Sequence, residues 1–260
     1  MKLNKLKNFK GLREMTAAFV LFASVFAPAG FTRGLAASPE DTLDMTLAYS
    51  EAADKRSLSG TRLTKEERAR LLALLMLHRA QLAEPTITRD LQAAASDEME
   101  LTGLENRIKG EDSLTRKIIS RARENNIKLM TAADGIGDVL RYTFTCSIED
   151  YSQAVPATIE RLRQEGYQVQ KFRNAWGGKF YQGINVQFRS PEGVRFEMQF
   201  HTPQSYRIKQ ASHEVYEIRR NPHSTPAEIE QAIADSIAYN ALVVVPEGAS
   251  EIRFDVERAA

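Results

Sequence analysis

Two predicted strands place several polar side chains on one face of a hairpin. Residues 183–189 and 194–201 are joined by Ser-Pro-Glu-Gly, which is typical of a turn. Successive side chains of a strand point to opposite faces, so Glu197, Gln199 and His201 share one face and the apolar residues between them face the core. A carboxylate, amides and an imidazole on one face could bind a charged ligand and move a proton. The alternative is a polar face that only meets solvent.

The pairing of these two strands follows from the same alternation. Both apolar faces join one core only if the paired residue numbers sum to an even value. The turn then favours Arg189 opposite Arg195 and Asn185 opposite Gln199. The first strand therefore adds amides and a guanidinium to the face that carries Glu197.

A basic cluster precedes the hairpin, with the spacing Arg107-x-Lys109-x3-Ser113-x3-Lys117. Residues two apart share a face of a strand, and residues four apart share a face of a helix. Three cations and a hydroxyl at the junction of a strand and a helix would suit a polyphosphate. The sequence has no Walker-type glycine-rich loop, so side chains would form the cradle. A solvated basic face is the alternative.

A third pair combines an acid with a cation. Asp138 enters a predicted strand, and Arg141 follows three residues later. A carboxylate at a strand edge can bind Mg²⁺ when a phosphate supplies further oxygens. Asp138 could instead only cap a turn.

The elements that would position these residues indicate an α+β fold, with a mixed β-sheet flanked by helices after an N-terminal helical region. Predicted helices cover residues 65–82, 113–125, 150–165, 205–219 and 225–242. Predicted strands cover residues 101–109, 139–146, 167–172, 183–189 and 194–201. We expect a helical region over residues 38–99, a domain over residues 100–245 and a tail over residues 246–260.

The first 37 residues read as an export signal. A lysine-rich start is followed by the apolar run 16–26 and then by small residues, the pattern of a secretory signal peptide. Cleavage after Ala37 is favoured over cleavage after Ala29. A transmembrane anchor is the alternative, but the apolar run is short of the roughly 20 residues that a span needs. We expect export to the periplasm or beyond, with no stable membrane association after cleavage.

Composition excludes several classes of protein. A single cysteine excludes a disulfide framework and a multi-cysteine zinc site. The whole chain has a formal net charge of +1, and removal of residues 1–37 would leave a net charge of −4. Affinity for a polyanion must therefore come from a local cluster of cations.

The three clusters, in this order, resemble the synthetase domain of the RelA/SpoT alarmone synthetases, a nucleotidyltransferase-like fold, over residues 100–220. The basic cluster matches the family's Arg-x-Lys-x3-Ser-x3-Lys element position for position. Asp138 resembles its metal-binding acid, but Arg141 follows after a shorter gap than in the family. His213 and Tyr216 resemble its downstream His-x2-Tyr.

The hairpin carries the departures from the family pattern. The family's Tyr-x-Ser-Leu-His element resembles Tyr181 to Asn185, with Gly183 for serine and Asn185 for histidine. Its Glu-x-Gln-x-Arg-Thr strand resembles Glu197 to Thr202, with His201 for arginine. These departures fall where the family chooses its acceptor, so specificity for guanosine does not carry over.

The resemblance implies transfer of the β,γ-pyrophosphate of ATP to a ribose 3′-hydroxyl, with release of AMP. It assigns the ATP phosphates to Arg107, Lys109, Ser113 and Lys117. It assigns Mg²⁺ to Asp138 and Glu197, with Glu197 also the candidate base. It assigns the acceptor to Tyr181 as stacking platform, with Asn185, Gln199, His201 and Arg141. His201 could instead be a hydrogen-bonded residue at a strand end.

Several alternatives stay open at this stage. The acceptor could be a guanine nucleotide, an adenine nucleotide or the 3′ end of a tRNA. ATP and Mg²⁺ are plentiful in cytosol, so an exported enzyme of this kind is expected to be a toxin or effector that acts in a target cell. A non-catalytic binding module and a structural secreted protein are the other readings. We find no His-Asp hydrolase motifs ahead of the synthetase region and expect no alarmone hydrolysis.

Overall fold

Five strands form one mixed sheet in the computed structural model, which describes residues 63–221 and 223–256. The strands are β1 (Met99–Thr102), β2 (Arg141–Cys146), β3 (Gln168–Asn174), β4 (Ile184–Arg189) and β5 (Arg195–His201). The helices are α1 (Lys65–Ala94), α2 (Glu111–Glu124), α3 (Leu129–Asp134), α4 (Tyr151–Gln164), α5 (Pro203–Ala211), α6 (His213–Arg220) and α7 (Pro226–Ala241). The predicted signal segment lies outside the described residues.

The sheet has the order β1-β2-β5-β4-β3, and β2 and β5 are its one parallel pair among the described residues. The register of β4 and β5 is the predicted one, with Asn185 opposite Gln199 and Arg189 opposite Arg195. The parallel pairing sets Arg141 opposite Glu197. The predicted α+β class with a mixed sheet is confirmed, and one polar face now spans three neighbouring strands.

The opposite face of the sheet is the hydrophobic core. Phe196 on the central strand β5 has no exposed surface, and its ring contacts those of Tyr142, Tyr167 and Phe188. The helix α1 reaches this layer, because Thr88 shares a hydrogen bond with the Tyr142 hydroxyl at 2.8 Å. Aromatic packing on one face leaves the other face available for polar side chains.

Helix α1 is longer than predicted. Its start is confirmed, since the Thr64 side chain accepts from the Glu67 backbone N–H in a complete capping box. The predicted end at residue 82 is wrong, because the helix continues through Pro85 to Ala94. Proline inside a helix removes one backbone hydrogen bond, but the fully buried Ile87 and Leu91 stabilise the second half against the core.

The predicted strand over residues 101–109 is wrong. β1 ends at Thr102, and Gly103 has a left-handed φ of 70° that turns the chain into a short 3-10 helix at Leu104–Asn106. Beyond it, Ile108 makes an isolated antiparallel bridge with Leu140. Alternation of apolar and polar residues could not show this break.

The predicted helix over residues 205–219 is two helices that meet at Ser212. The Ser212 hydroxyl donates to the Lys209 carbonyl at 3.2 Å, a local bond that competes with helix continuation. The short helix α3 was not predicted. Both differences involve short stretches of the chain, and the periodicity of apolar residues predicts such short elements poorly.

The hydrophobic core extends across both predicted domain boundaries, at residues 99/100 and 245/246. β1 begins at Met99, and α1 contributes the buried residues Ala69 and Leu91 to the same core as the sheet. In the predicted tail, Ile252 is buried and Phe254 packs against Phe172 of β3 at 5.6 Å between ring centroids. None of the described helices combines the length and apolarity that crossing a membrane requires.

Phe196→Ala should lower the free energy of unfolding by about 3–5 kcal/mol, because it removes a fully buried ring and leaves a cavity. Chemical denaturation followed by circular dichroism would measure this. Lys171→Ala, at an exposed position of the edge strand β3, should change stability by less than about 0.5 kcal/mol. Equal effects of the two substitutions would contradict the assignment of the core.

Candidate active site

Asp138 is the buried centre of a partly exposed ion cluster where the chain enters β2. Its carboxylate accepts from Lys117 Nζ at 2.7 Å, from Lys109 Nζ at 3.0 Å and from Arg141 Nη2 at 3.1 Å. Lys109 precedes α2 and Lys117 lies one turn and a half into it, so the predicted spacing does bring both lysines to one point. They converge on the acid, as three charge-assisted bonds to a single carboxylate.

The charges of this cluster set its protonation state. Asp138 is only 7% exposed, and burial alone would raise its pKa. The charges of Lys109 and Lys117 outweigh burial and hold the pKa of Asp138 well below its ordinary value. Burial lowers the pKa of Lys109, an effect that Asp138 opposes. Asp138 is therefore a carboxylate at any physiological pH.

Arg141 joins the two acids of the site. While its Nη2 donates to Asp138, its Nε lies 3.1 Å from Glu197 Oε1. Burial would lower the pKa of Arg141, but Glu197 and Asp138 raise it beyond its ordinary value. The prediction placed Arg141 on the acceptor side. In this structure it stands between the two predicted metal ligands.

The cluster continues along β5 from Glu197. Gln199 Nε2 donates to Glu197 Oε1 at 2.9 Å, and Gln199 Oε1 accepts from Lys209 Nζ at 2.6 Å. The amide of Gln199 is therefore held at both ends, which fixes its orientation. Lys209 lies on α5, and no motif in the sequence pointed to it.

Tyr181, Asn185 and His201 form a second hydrogen-bonded group on the same face. The Tyr181 hydroxyl donates to Asn185 Oδ1 at 2.5 Å and lies 2.9 Å from His201 Nε2. His201 Nδ1 in turn lies 2.9 Å from the hydroxyl of Ser205. Burial raises the pKa of Tyr181. The phenol is thus anchored at its hydroxyl end.

His201 is a neutral, buried member of this group. Burial lowers its pKa to about 3, with the nearby charge of Lys209 acting in the same direction. An uncharged imidazole does not replace the family's arginine as a cation. Of its two expected roles, the structure favours the hydrogen-bonded residue at the strand end, which holds Tyr181.

Gly183 provides the space that His201 occupies. A Cβ at position 183 would lie 2.9 Å from His201 Cε1 and 2.9 Å from the Phe200 carbonyl oxygen, and the backbone φ is 150°. Two of the departures from the resembled pattern, glycine for serine at position 183 and histidine for arginine at position 201, are therefore next to each other in the structure.

Arg107 does not join the Asp138 cluster. Its Nε is paired with Glu84 Oε1 of α1 at 2.5 Å, and its Nη1 donates to the Leu104 carbonyl at 2.6 Å. The predicted shared strand face of Arg107 and Lys109 is wrong, because no strand runs through them; their role as ATP ligands stays a prediction. Ser113 lies half-buried in the first turn of α2.

Sequence reasoning missed Glu84 and Lys209. Glu84 lies beyond the point where the proline-containing helix was expected to end, and Lys209 is one basic residue among many on predicted helices. Only the three-dimensional pairing distinguishes either of them.

The site fits a divalent cation that is shared with a phosphate. Mg²⁺ is usually bound by one or two protein carboxylates together with substrate phosphates and water, and Asp138 and Glu197 provide such a pair within reach of one arginine. The described part of the chain has no group of three or more acid, histidine or cysteine side chains that could hold a metal by themselves.

The solved structures that are similar to this chain include alarmone synthetases. Small alarmone synthetase 1 from Bacillus subtilis is 19% identical, and the match covers 72% of this chain and 95% of that one with a TM-score of 0.43. The same synthetase bound to its product pppGpp is 17% identical over 71% and 94% of the two chains, with a TM-score of 0.43.

Two further solved structures are similar. The Type VI effector Tas1, in complex with its immunity protein, is 18% identical over 70% of this chain and 97% of that one, with a TM-score of 0.42. A GTP pyrophosphokinase family protein from Streptococcus pneumoniae is 15% identical over 76% and 89%, with a TM-score of 0.41.

No protein-family model matches the sequence. No curated protein matches it either. At these identities and TM-scores, function has to be argued from the side chains of the site.

Gly183→Ala should destabilise the protein by about 1–3 kcal/mol, because the new methyl group meets His201 and a carbonyl oxygen at a strained φ. Gly137→Ala is the matched control, since the nearest atoms to its Cβ would all be at the flexible end of the Gln187 side chain. Thermal unfolding of both variants would show whether position 183 is the more sensitive one. A Gly183→Ala protein as stable as the control would contradict the tight contact with His201.

Proposed function

We propose that this protein is an ATP-dependent pyrophosphokinase that transfers the β,γ-pyrophosphate of ATP to the ribose 3′-hydroxyl of a nucleotide acceptor. The observation that carries the proposal is the charge of the polar network on β2 and β5. Two carboxylates, Asp138 and Glu197, are linked there to the four cations Lys109, Lys117, Arg141 and Lys209. Such an excess of partly buried positive charge is suited to an anion.

The donor phosphates are assigned to the Asp138 end of the network. Lys109 and Lys117 approach from the start of α2 and leave Asp138 between them. A triphosphate would exchange their contacts with one carboxylate for contacts with several phosphate oxygens. Arg107 would contribute only after release from Glu84, so we assign it no primary role.

Mg²⁺ is proposed as the cofactor, held by Asp138 and Glu197 together with phosphate oxygens of ATP. When bound, it neutralises charge that develops on the transferred group. Its fit rests on the two carboxylates; Lys109, Lys117 and Arg141, which pair with them in this structure, would then contact phosphate oxygens instead.

The transfer itself needs one bond to form and one to break. The acceptor 3′-oxygen attacks the β-phosphorus, the bond between the β-phosphorus and the oxygen bridging to the α-phosphate breaks, and AMP leaves with that electron pair. Glu197 is the proposed base. Arg141 and Gln199 both contact its Oε1, so Oε2 is the oxygen we assign to the hydroxyl proton.

The acceptor is assigned to the other end of the network. Asn185 and His201 hold the hydroxyl of Tyr181, which fixes the ring as a platform for the acceptor base. Orientation of this kind is worth several kcal/mol when it places reacting atoms in line. A guanine nucleotide, an adenine nucleotide and a tRNA 3′ end are the three acceptors to be separated by experiment.

We further propose that the protein is exported and acts as a toxin or effector in the cytosol of a target cell. The support is the sequence of residues 1–37 and the need of the reaction for ATP. Protein recovered from outside the cytoplasm should begin near Ser38, which N-terminal sequencing would show. Recovery of the chain only as intact Met1 protein in the cytosol would contradict export.

The deciding experiment incubates the protein with γ-labelled ATP, Mg²⁺ and, separately, GDP, GTP, ADP, ATP and tRNA. Movement of label to one acceptor identifies it. Failure to label any of them would favour the alternative of a non-catalytic binding module.

Glu197→Gln should reduce transfer by about 10²–10⁴-fold, because it removes the charge needed for proton abstraction. The fold should survive, since an amide oxygen can still accept from Gln199. Glu192→Gln, in the exposed hairpin turn, removes the same charge a few residues away and should leave transfer unchanged. Full activity in a folded Glu197→Gln protein would exclude Glu197 as the base.

A further inference from the structure

Lys209 lies outside every motif that the sequence suggested, yet its side chain ends inside the candidate site. It is the seventh residue of α5, the helix that follows β5 directly. Its Nζ donates to Gln199 Oε1 at 2.6 Å and lies 5.4 Å from the centroid of the Tyr206 ring. The polar network therefore ends on a cation.

No acid in the described part of the chain balances this cation directly. Lys209 Nζ makes no ion pair there with a carboxylate within 4.0 Å, and the one hydrogen-bond partner of the ammonium group is the neutral amide of Gln199. Of the charged groups that face it, Arg141 on β2 repels it and Glu197 on β5 attracts it from beyond Gln199. Burial lowers the pKa of Lys209 to about 8. A partly buried ammonium ion without a counter-ion is costly, and an anionic ligand would remove that cost.

The position of Lys209 identifies the part of the ligand that it would meet. Gln199, its partner, lies opposite Asn185 in the sheet, and Asn185 holds the Tyr181 hydroxyl. Through Gln199, Lys209 is hydrogen-bonded to Glu197 and lies beside the residue that holds the proposed base platform. The triphosphate lysines are at the far end of the network, on Asp138.

We propose that Lys209 binds a phosphate group of the acceptor, so that the site selects phosphorylated nucleotides over nucleosides. This proposal rests on the proposed function, because it takes Tyr181 and Glu197 as the acceptor end of the site. A lysine ammonium carries three donors, so it can keep Gln199 and bind phosphate oxygens at the same time. The competing explanation is that Lys209 only orients Gln199.

Equilibrium binding separates the two explanations without any turnover. The protein is first saturated with Mg²⁺ and AMPCPP, whose methylene group between the α- and β-phosphorus blocks the bond that transfer would break. GDP, guanosine, ADP and adenosine are then titrated by calorimetry into the wild type, Lys209→Met and Arg207→Met. Arg207 is a matched control, because it is an exposed cation on the same helix.

The wild type should bind at least one diphosphate more tightly than its nucleoside. Lys209→Met should lose about 10–150-fold in affinity for that diphosphate, the range expected for one charge-assisted bond, with little change for the nucleoside. Arg207→Met should behave as the wild type. A wild type without the preference, an unchanged preference in Lys209→Met, or an equal loss for nucleoside and diphosphate would overturn the proposal.

Two further measurements keep the test valid if Lys209→Met does not fold. Lys209→Arg keeps the charge and should keep the preference. In the wild type, the preference should weaken between pH 7 and pH 9, as the ammonium ion loses its proton. Arg141, Tyr181 and Tyr206, whose pKa values are all raised, keep one charge state over that range. A preference that is independent of pH would count against Lys209.

The outcomes also separate this proposal from the proposed function. If labelled pyrophosphate moves to no acceptor but the diphosphate preference depends on Lys209, the phosphate site stands and the transfer reaction is wrong. If transfer occurs and the preference does not depend on Lys209, the reaction stands and the assignment of Lys209 is wrong.

Discussion

The candidate site depends on one guanidinium held between two carboxylates. The buried Asp138, at the entry to β2, and the partly buried Glu197, on β5, would repel each other, and each loses part of its hydration. Arg141 offsets both effects, since it donates to Asp138 and pairs with Glu197 at 3.1 Å in each case. The arrangement is possible only because β2 and β5 are parallel neighbours, which sets Arg141 directly opposite Glu197. A fold with these strands apart would leave two unrelated acids.

The rest of the molecule supports that pairing. Aromatic side chains fill one face of the sheet. Helix α1, which continues through Pro85, packs against this layer. The opposite face is then free to carry charge. Lys109, just before α2, and Lys117, on α2, lie at one end of it, and Lys209 of α5 lies at the other. The same network thus joins elements that are more than 90 residues apart in the chain, from Lys109 to Lys209.

Much of this could be predicted from the sequence, for reasons that are specific to its elements. Alternation fixed the hairpin register because a shift by one residue would bury Glu197 and expose Phe196. The spacing predicted that Lys109 and Lys117 lie together, because α2 begins just after Lys109 and contains Lys117. Arg107 was misplaced because Gly103 ends β1 early, which a pattern of apolar residues does not record. Lys209 was missed because its role depends on which strand α5 packs against. The identity of the acceptor and the export of the chain stay predictions.

The contact between Gly183 and His201 restricts how this site can change over time. A side chain at position 183 would meet both the His201 ring and the Phe200 carbonyl oxygen, and only the first of these contacts changes with the residue at position 201. The effect of a substitution at position 183 on stability therefore depends on which residue is present at position 201. Relatives of this chain should accordingly keep or exchange both residues together, and a glycine without the imidazole would leave a void beside Tyr181.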